Sequence, residues 1–137
     1  MTRRVTFPFE RRSSPLFGTV YQPRAVAGFW SRKASNWMAL VCLVDTGADY
    51  TLLPRVYAAE LGINVAREGR VFDARGIGGS ERVVLLPRWP MKLGSWTRRI
   101  PVGFINRDDL PPILGRQACL ETFKLTLFQH RTTFSLR

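Results

Sequence analysis

Trp37-Met38-Ala39-Leu40-Val41-Cys42-Leu43-Val44 runs for eight apolar residues and then stops at a charge, in Asp45-Thr46-Gly47-Ala48-Asp49-Tyr50-Thr51. A continuous apolar run of this length predicts a strand buried on both faces, and it is far short of the roughly 20 residues that a membrane-spanning helix needs. Asp45 therefore stands at the mouth of a buried strand, followed by a tight turn. Burying a carboxylate there costs several kcal/mol unless it is hydrogen-bonded or shares a proton, so an acid in this position points to chemistry. The competing reading is structural, since an Asp side chain also accepts backbone N–H bonds and caps turns.

Outward from this segment the chain reads as short strands and turns. Leu16 to Tyr21 and Arg24 to Trp30 predict two strands before the polar turn at residues 31–36. On the other side, Pro54 suits the first turn of a helix whose apolar stripe is Val56, Ala59 and Leu61 and which Gly62 closes. Arg70 to Ala74 and Arg82 to Leu86 flank Gly76-Ile77-Gly78-Gly79, predicting a hairpin with a mobile tip. Met91 to Leu93 and Thr97 to Phe104 predict a second hairpin through Gly94-Ser95. Ile113-Leu114-Gly115 precedes a short helix expected over Arg116 to Phe123, and residues 124–128 and 132–136 alternate as a last hairpin. Strands at this spacing with one or two short helices predict a mostly β domain. Residues 1–14 are polar, Arg-rich and interrupted by Pro8, which predicts an extended arm rather than a helix, with ordering by a partner left open.

With 137 residues, 45% of them apolar, the chain is sized for one domain with its own core. Arg3 and Arg4 are followed by no apolar stretch, so no secretory signal is expected and a cytoplasmic protein is the default. Lys and Arg outnumber Asp and Glu by 21 to 10, giving a formal charge of +11. The cations lie singly or in pairs, with no dense run, which predicts a solvated basic surface open to acidic partners. Two cysteines in such a chain predict reduced core residues, and one histidine leaves too few ligands for a metal, so neither metal nor cofactor is expected. The four tryptophans are expected in core or interface, and His130 in the exposed turn of the last hairpin.

The segment from Leu43 to Thr51 resembles the active-site segment of the retropepsin-like aspartic proteases, the single-domain class typified by retroviral proteases. Ile113-Leu114-Gly115-Arg116, about 70 residues on, is similar to that family's second signature, and Gly76-Ile77-Gly78-Gly79 to its flap tip. The order and spacing of the three also match over about residues 37–136. The resemblance implies a closed acid-protease barrel over residues 15–137 with one half-site per chain, preceded by the basic arm at 1–14. It implies Asp45 as the catalytic acid, with Thr46, Gly47, Thr51, Gly115 and Arg116 supporting the loop. Gly47, Ala48, Asp49, Gly76, Ile77 and Gly78 would contact substrate, and Asp49 with Arg116 would form a partly buried ion pair. Tyr50 is larger than the small acid found there in many retroviral members, which alters the adjoining pocket.

Amide hydrolysis without metal or covalent intermediate needs one carboxylate to take a proton and a second to give one. The chain offers one suitable motif, so the resemblance implies a homodimer in which two Asp45 carboxyls hold one proton between them and act on a peptide or protein substrate. Two other classes stay open: a protein-binding module that keeps the fold without cleaving, and a basic nucleic-acid-associated domain, which +11 favours but no motif supports. A dinucleotide loop is disfavoured, because the glycines at 76–79 lack the last spaced glycine of that motif and a strand, not a helix, follows them.

Overall fold

A computed structural model describes residues 3–76 and 79–136. In chain order the described residues form β1 (Arg4–Pro8), β2 (Glu10–Ser14), β3 (Gly18–Gln22), β4 (Arg24–Ser31), β5 (Asn36–Val44), β6 (Thr51–Pro54), α1 (Val56–Glu60), α2 (Val65–Glu68), β7 (Arg70–Gly76), β8 (Gly79–Leu93), β9 (Trp96–Ile105) and β10 (Ile113–Leu114). A 3-10 helix (Leu120–Thr122), β11 (Lys124–Phe128) and β12 (Arg131–Ser135) complete them. The main sheet runs β4-β5-β10-β6-β9-β8-β7, and β4 also pairs with β8, so the sheet curls back on itself. β2 and β3 form a separate ribbon, and β1 joins the β11–β12 hairpin in a three-stranded sheet.

Alternation along the strands selects the core. Ala25, Ala27 and Phe29 of β4, Leu40, Cys42 and Val44 of β5, Met91 and Leu93 of β8, and Ile100, Val102 and Phe104 of β9 are all buried. Ala58 and Leu61 bring α1 onto the same core, and Leu120 and Phe123 bring in the 3-10 turn. Trp89 and Trp96 are buried, whereas Trp30 and Trp37 are half-buried and meet edge-on across β4 and β5 at 5.4 Å. Cys42 and Cys119 are buried free thiols. His130 is exposed in its turn but stacks on Tyr21 at 4.1 Å. Among the described residues no helix is long and apolar enough to cross a membrane.

Several elements depart from the sequence expectations. β5 is buried on one face, not two: Val41 is 54% exposed and Ala39 is exposed, because their face of the sheet looks outward. Over residues 116–123 the chain makes turns and a 3-10 helix instead of an α-helix, and Ala118 at φ +54° interrupts helical geometry there. Pro54 ends β6, leaving Val56 to begin α1. The strand expected from Leu16 starts at Gly18, with Leu16 and Phe17 in the turn. Met91 to Leu93 are not a separate strand but continue β8, whose register shift between Leu86 and Trp89 lies where Pro87 interrupts the ladder. α2 has too few residues for a helical period, and the Asn64 side chain marks its start by accepting from the Arg67 N–H.

Candidate active site

The two segments that carry the resemblance meet through β10. This two-residue strand runs parallel to β5, with Ile113 opposite Leu43 and Leu114 opposite Val44, and antiparallel to β6 through Ile113 and Leu52. The Leu43 N–H donates to Pro112 O at 2.8 Å and the Asp45 N–H to Leu114 O at 3.1 Å, so the start of the Asp45 loop is fixed by backbone bonds to a segment about 70 residues away. Thr51 is fully buried, and its Oγ1 accepts the Gly115 N–H at 3.2 Å. At Gly115 any Cβ would overlap the Tyr50 carbonyl, so the close approach of the two segments requires glycine.

Asp45 is half-buried and its Oδ1 accepts the Gly47 N–H at 2.9 Å, so the capping role is present. Oδ2 has no hydrogen-bond partner among the described residues. Thr46 and Gly47 are exposed at the turn. Arg116 donates to Thr46 O at 2.8 Å and to Asp49 Oδ1 at 2.5 Å, while its own N–H donates to Ala48 O at 2.9 Å. One side chain thus ties both sides of the turn to the second segment. The Asp49–Arg116 pair forms, but within the single chain it is not partly buried: Asp49 is 72% exposed and Arg116 46%. Both groups stand on turns at the rim of the sheet, exposed among the described residues.

Beside this turn lies a cavity of about 340 Å³ lined by Gly47, Ala48, Asp49, Tyr50, Leu52, Phe72, Ala74 and Ile113. Phe72 and Ala74 are on β7, so this hairpin forms one wall and the Asp45 loop another. The Tyr50 ring meets Phe72 edge-on at 5.9 Å and packs over Gly103, where a Cβ would come within 2.8 Å of its ring. Burial and, secondarily, the Asp49 charge push the Tyr50 phenol above its ordinary range. Of the expected substrate contacts, Gly47, Ala48 and Asp49 line this cavity; Gly76 ends β7, and Ile77 and Gly78 lie outside the described residues. Sequence reasoning missed Leu52, Phe72, Ala74 and Ile113 as lining residues, although the period of two that places Phe72 and Ala74 on one face is visible in the sequence. A larger cleft of about 540 Å³ lies between β1 and β4, lined by Phe7, Phe9 and Val26, and contains none of the candidate residues. Chemistry, not volume, therefore locates the site.

A model of the family described as aspartyl protease matches residues 39–118, which takes in the Asp45 loop, the β7–β8 hairpin and the Gly115 segment. Among solved structures, the chain is similar to a retropepsin-like aspartic protease from Rickettsia conorii, with a TM-score of 0.68 and 16% identity over 96% of this chain and 98% of that one. At this identity the likeness concerns the fold, which is mostly β and retropepsin-like. No curated protein matches the sequence.

Proposed function

The chain belongs to the aspartyl protease family, and from that premise we propose that it is a homodimeric endopeptidase whose two Asp45 carboxyls, one per subunit, hydrolyse peptide bonds. Two carboxyls in contact cannot both ionise and so hold one proton between them. The ionised carboxylate takes a proton from water as the water oxygen attacks the peptide carbonyl carbon, while the protonated carboxyl gives its proton to the carbonyl oxygen. In the second half the departing nitrogen receives a proton, the C–N bond breaks, and the shared proton is restored.

The observation that carries this reading is the Asp45 turn itself. One oxygen is held by the Gly47 N–H, and the whole turn is tethered by Arg116 to the segment that also receives the Asp45 backbone. The apolar cavity of Tyr50, Leu52, Phe72 and Ile113 supports a substrate with an uncharged side chain at that subsite. Gly76, Ile77 and Gly78 would cover the substrate, and the curled sheet would act as a closed barrel.

The test is cleavage of peptides by the purified protein, blocked by a hydroxyl-bearing transition-state analogue of the pepsin-inhibitor type. Asp45→Asn should lower kcat on the order of 10³-fold or more, because Asn cannot share the proton, with secondary structure and size unchanged. Turnover retained in a clean Asp45→Asn preparation contradicts the assignment.

A further inference from the structure

Residues 24–44 and 82–107 contain no Asp or Glu, although the ten acidic residues are otherwise spread from Glu10 to Glu121. The fold lays these two stretches side by side. β4 pairs with β5 along its length and with β8 at Gly28 and Lys92, and β8 pairs with β9 through Pro90↔Arg99 and Lys92↔Thr97. One face of this area, with Ala27, Phe29, Cys42, Met91 and Ile100, packs into the core. The opposite face carries Trp30, Trp37, Lys92 and Arg99, and Ala39, Thr97 and Arg99 on it are exposed.

Trp37 is the centre of that face. Its ring lies against Gly28, where a Cβ would be 3.6 Å from ring atom Cε3, and the Lys92 ammonium stands 6.0 Å from its ring centroid. Next to it is a cleft of about 280 Å³ lined by Trp37, Pro90, Thr97, Arg98 and Arg99. Arg98 alternates onto the other face with Trp96 and Ile100: its Nε donates to Thr122 Oγ1 at 3.2 Å and its guanidinium lies over Phe123 at 4.8 Å, which leaves Lys92 and Arg99 as the cations beside Trp37. Among the described residues, Lys92 and Arg99 have no carboxylate partner.

We propose that this face binds single-stranded nucleic acid, with a base against the Trp37 indole and neighbouring phosphates on Lys92 and Arg99. Cations clustered without carboxylates complement a polyanion, and an indole among them supplies the sequence-tolerant stacking that single strands use. An acidic protein segment is the weaker fit. Extended peptides bind by adding a strand to an open edge, and here β4 and β8 each have neighbours on both sides, so only side chains are on offer. The site is separate from the Asp45 loop and does not depend on the chain being a peptidase.

The test is binding of the whole chain to a labelled oligothymidylate of about 12 nucleotides, followed by anisotropy and tryptophan fluorescence from about 50 to 300 mM NaCl. Two phosphate contacts predict quenching on binding and a log–log salt slope of about −1.4, at roughly 0.7 per phosphate. Arg99→Gln should bring the slope to about −0.7, and Lys92→Gln with Arg99→Gln to about zero. These exposed-face variants avoid the packing that Trp37→Ala would disturb, and an abasic oligomer of equal length, bound on the order of tenfold more weakly, reports the stacking. Absence of binding at about 50 mM NaCl overturns the proposal. So does a slope unchanged by the double variant, or equal binding of an oligo-glutamate of matching charge, which would make the face a protein-docking surface.

Discussion

Thr51 presents a hydroxyl to the Gly115 N–H in a fully buried place, so the bond cannot be exchanged for water. Thr51→Val keeps the shape and removes the acceptor, leaving a buried N–H unpaired at a cost of about 1–3 kcal/mol. A lower denaturant midpoint at unchanged slope, restored by Thr51→Ser, is the expected result; a Val variant as stable as the parent would show that the bond contributes nothing. At this scale the short-range chemistry was legible. Asp45, Thr46 and Gly47 form their turn within three consecutive positions, and the sequence already contains both the catalytic and the capping reading of Asp45. The place of Tyr50 was not legible. Its ring packs over Gly103 only because β6 lies parallel to β9 with Thr51 opposite Val102 and Leu52 opposite Gly103, a register set by the whole sheet.

Arg116 acts between elements, tying the Asp45 turn to the segment after β10. Its contacts are exposed, so Arg116→Ala should change stability by less than about 1 kcal/mol. Turnover should fall further than that, because the Thr46 carbonyl and Asp49 carboxylate lose their common donor. Arg116→Lys should recover only part of the activity, since a single ammonium cannot reproduce the planar fork. Thermal midpoint and kcat measured together check this; an unchanged kcat in Arg116→Ala contradicts the tether. The same scale shows where local pattern misleads. β5 reads as doubly buried because Ala39 and Val41 are apolar, yet both are exposed on an outward face. The residues from Arg116 onward read as a helix by composition, but Ala118 turns left-handed and the chain shortens into a 3-10 turn. The β7–β8 hairpin, by contrast, was announced by its flanking strands and glycines.

Across the whole molecule, burial governs the two thiols. It pushes Cys119 up to about 12, and it raises Cys42 further with a smaller contribution from the neighbouring Cys119. Neither is a thiolate at pH 8, so a thiol-specific disulfide reagent should label the native chain negligibly and both cysteines after denaturation. Rapid labelling of a native thiol would contradict the buried assignment. The acid-free stretches are equally plain in the sequence, but their union into one face comes from the β4–β8 pairing, which joins residues more than 60 positions apart. The central claim, that one chain supplies half a site, is tested most directly by mixing. When wild type is combined with an equal amount of Asp45→Asn chain and subunits exchange, random pairing leaves about a quarter of the dimers with two acids, in twice as many dimers. Activity per wild-type chain should then fall to about half. Activity that stays constant after verified exchange would show that each chain carries a complete site and would contradict the shared Asp45 pair.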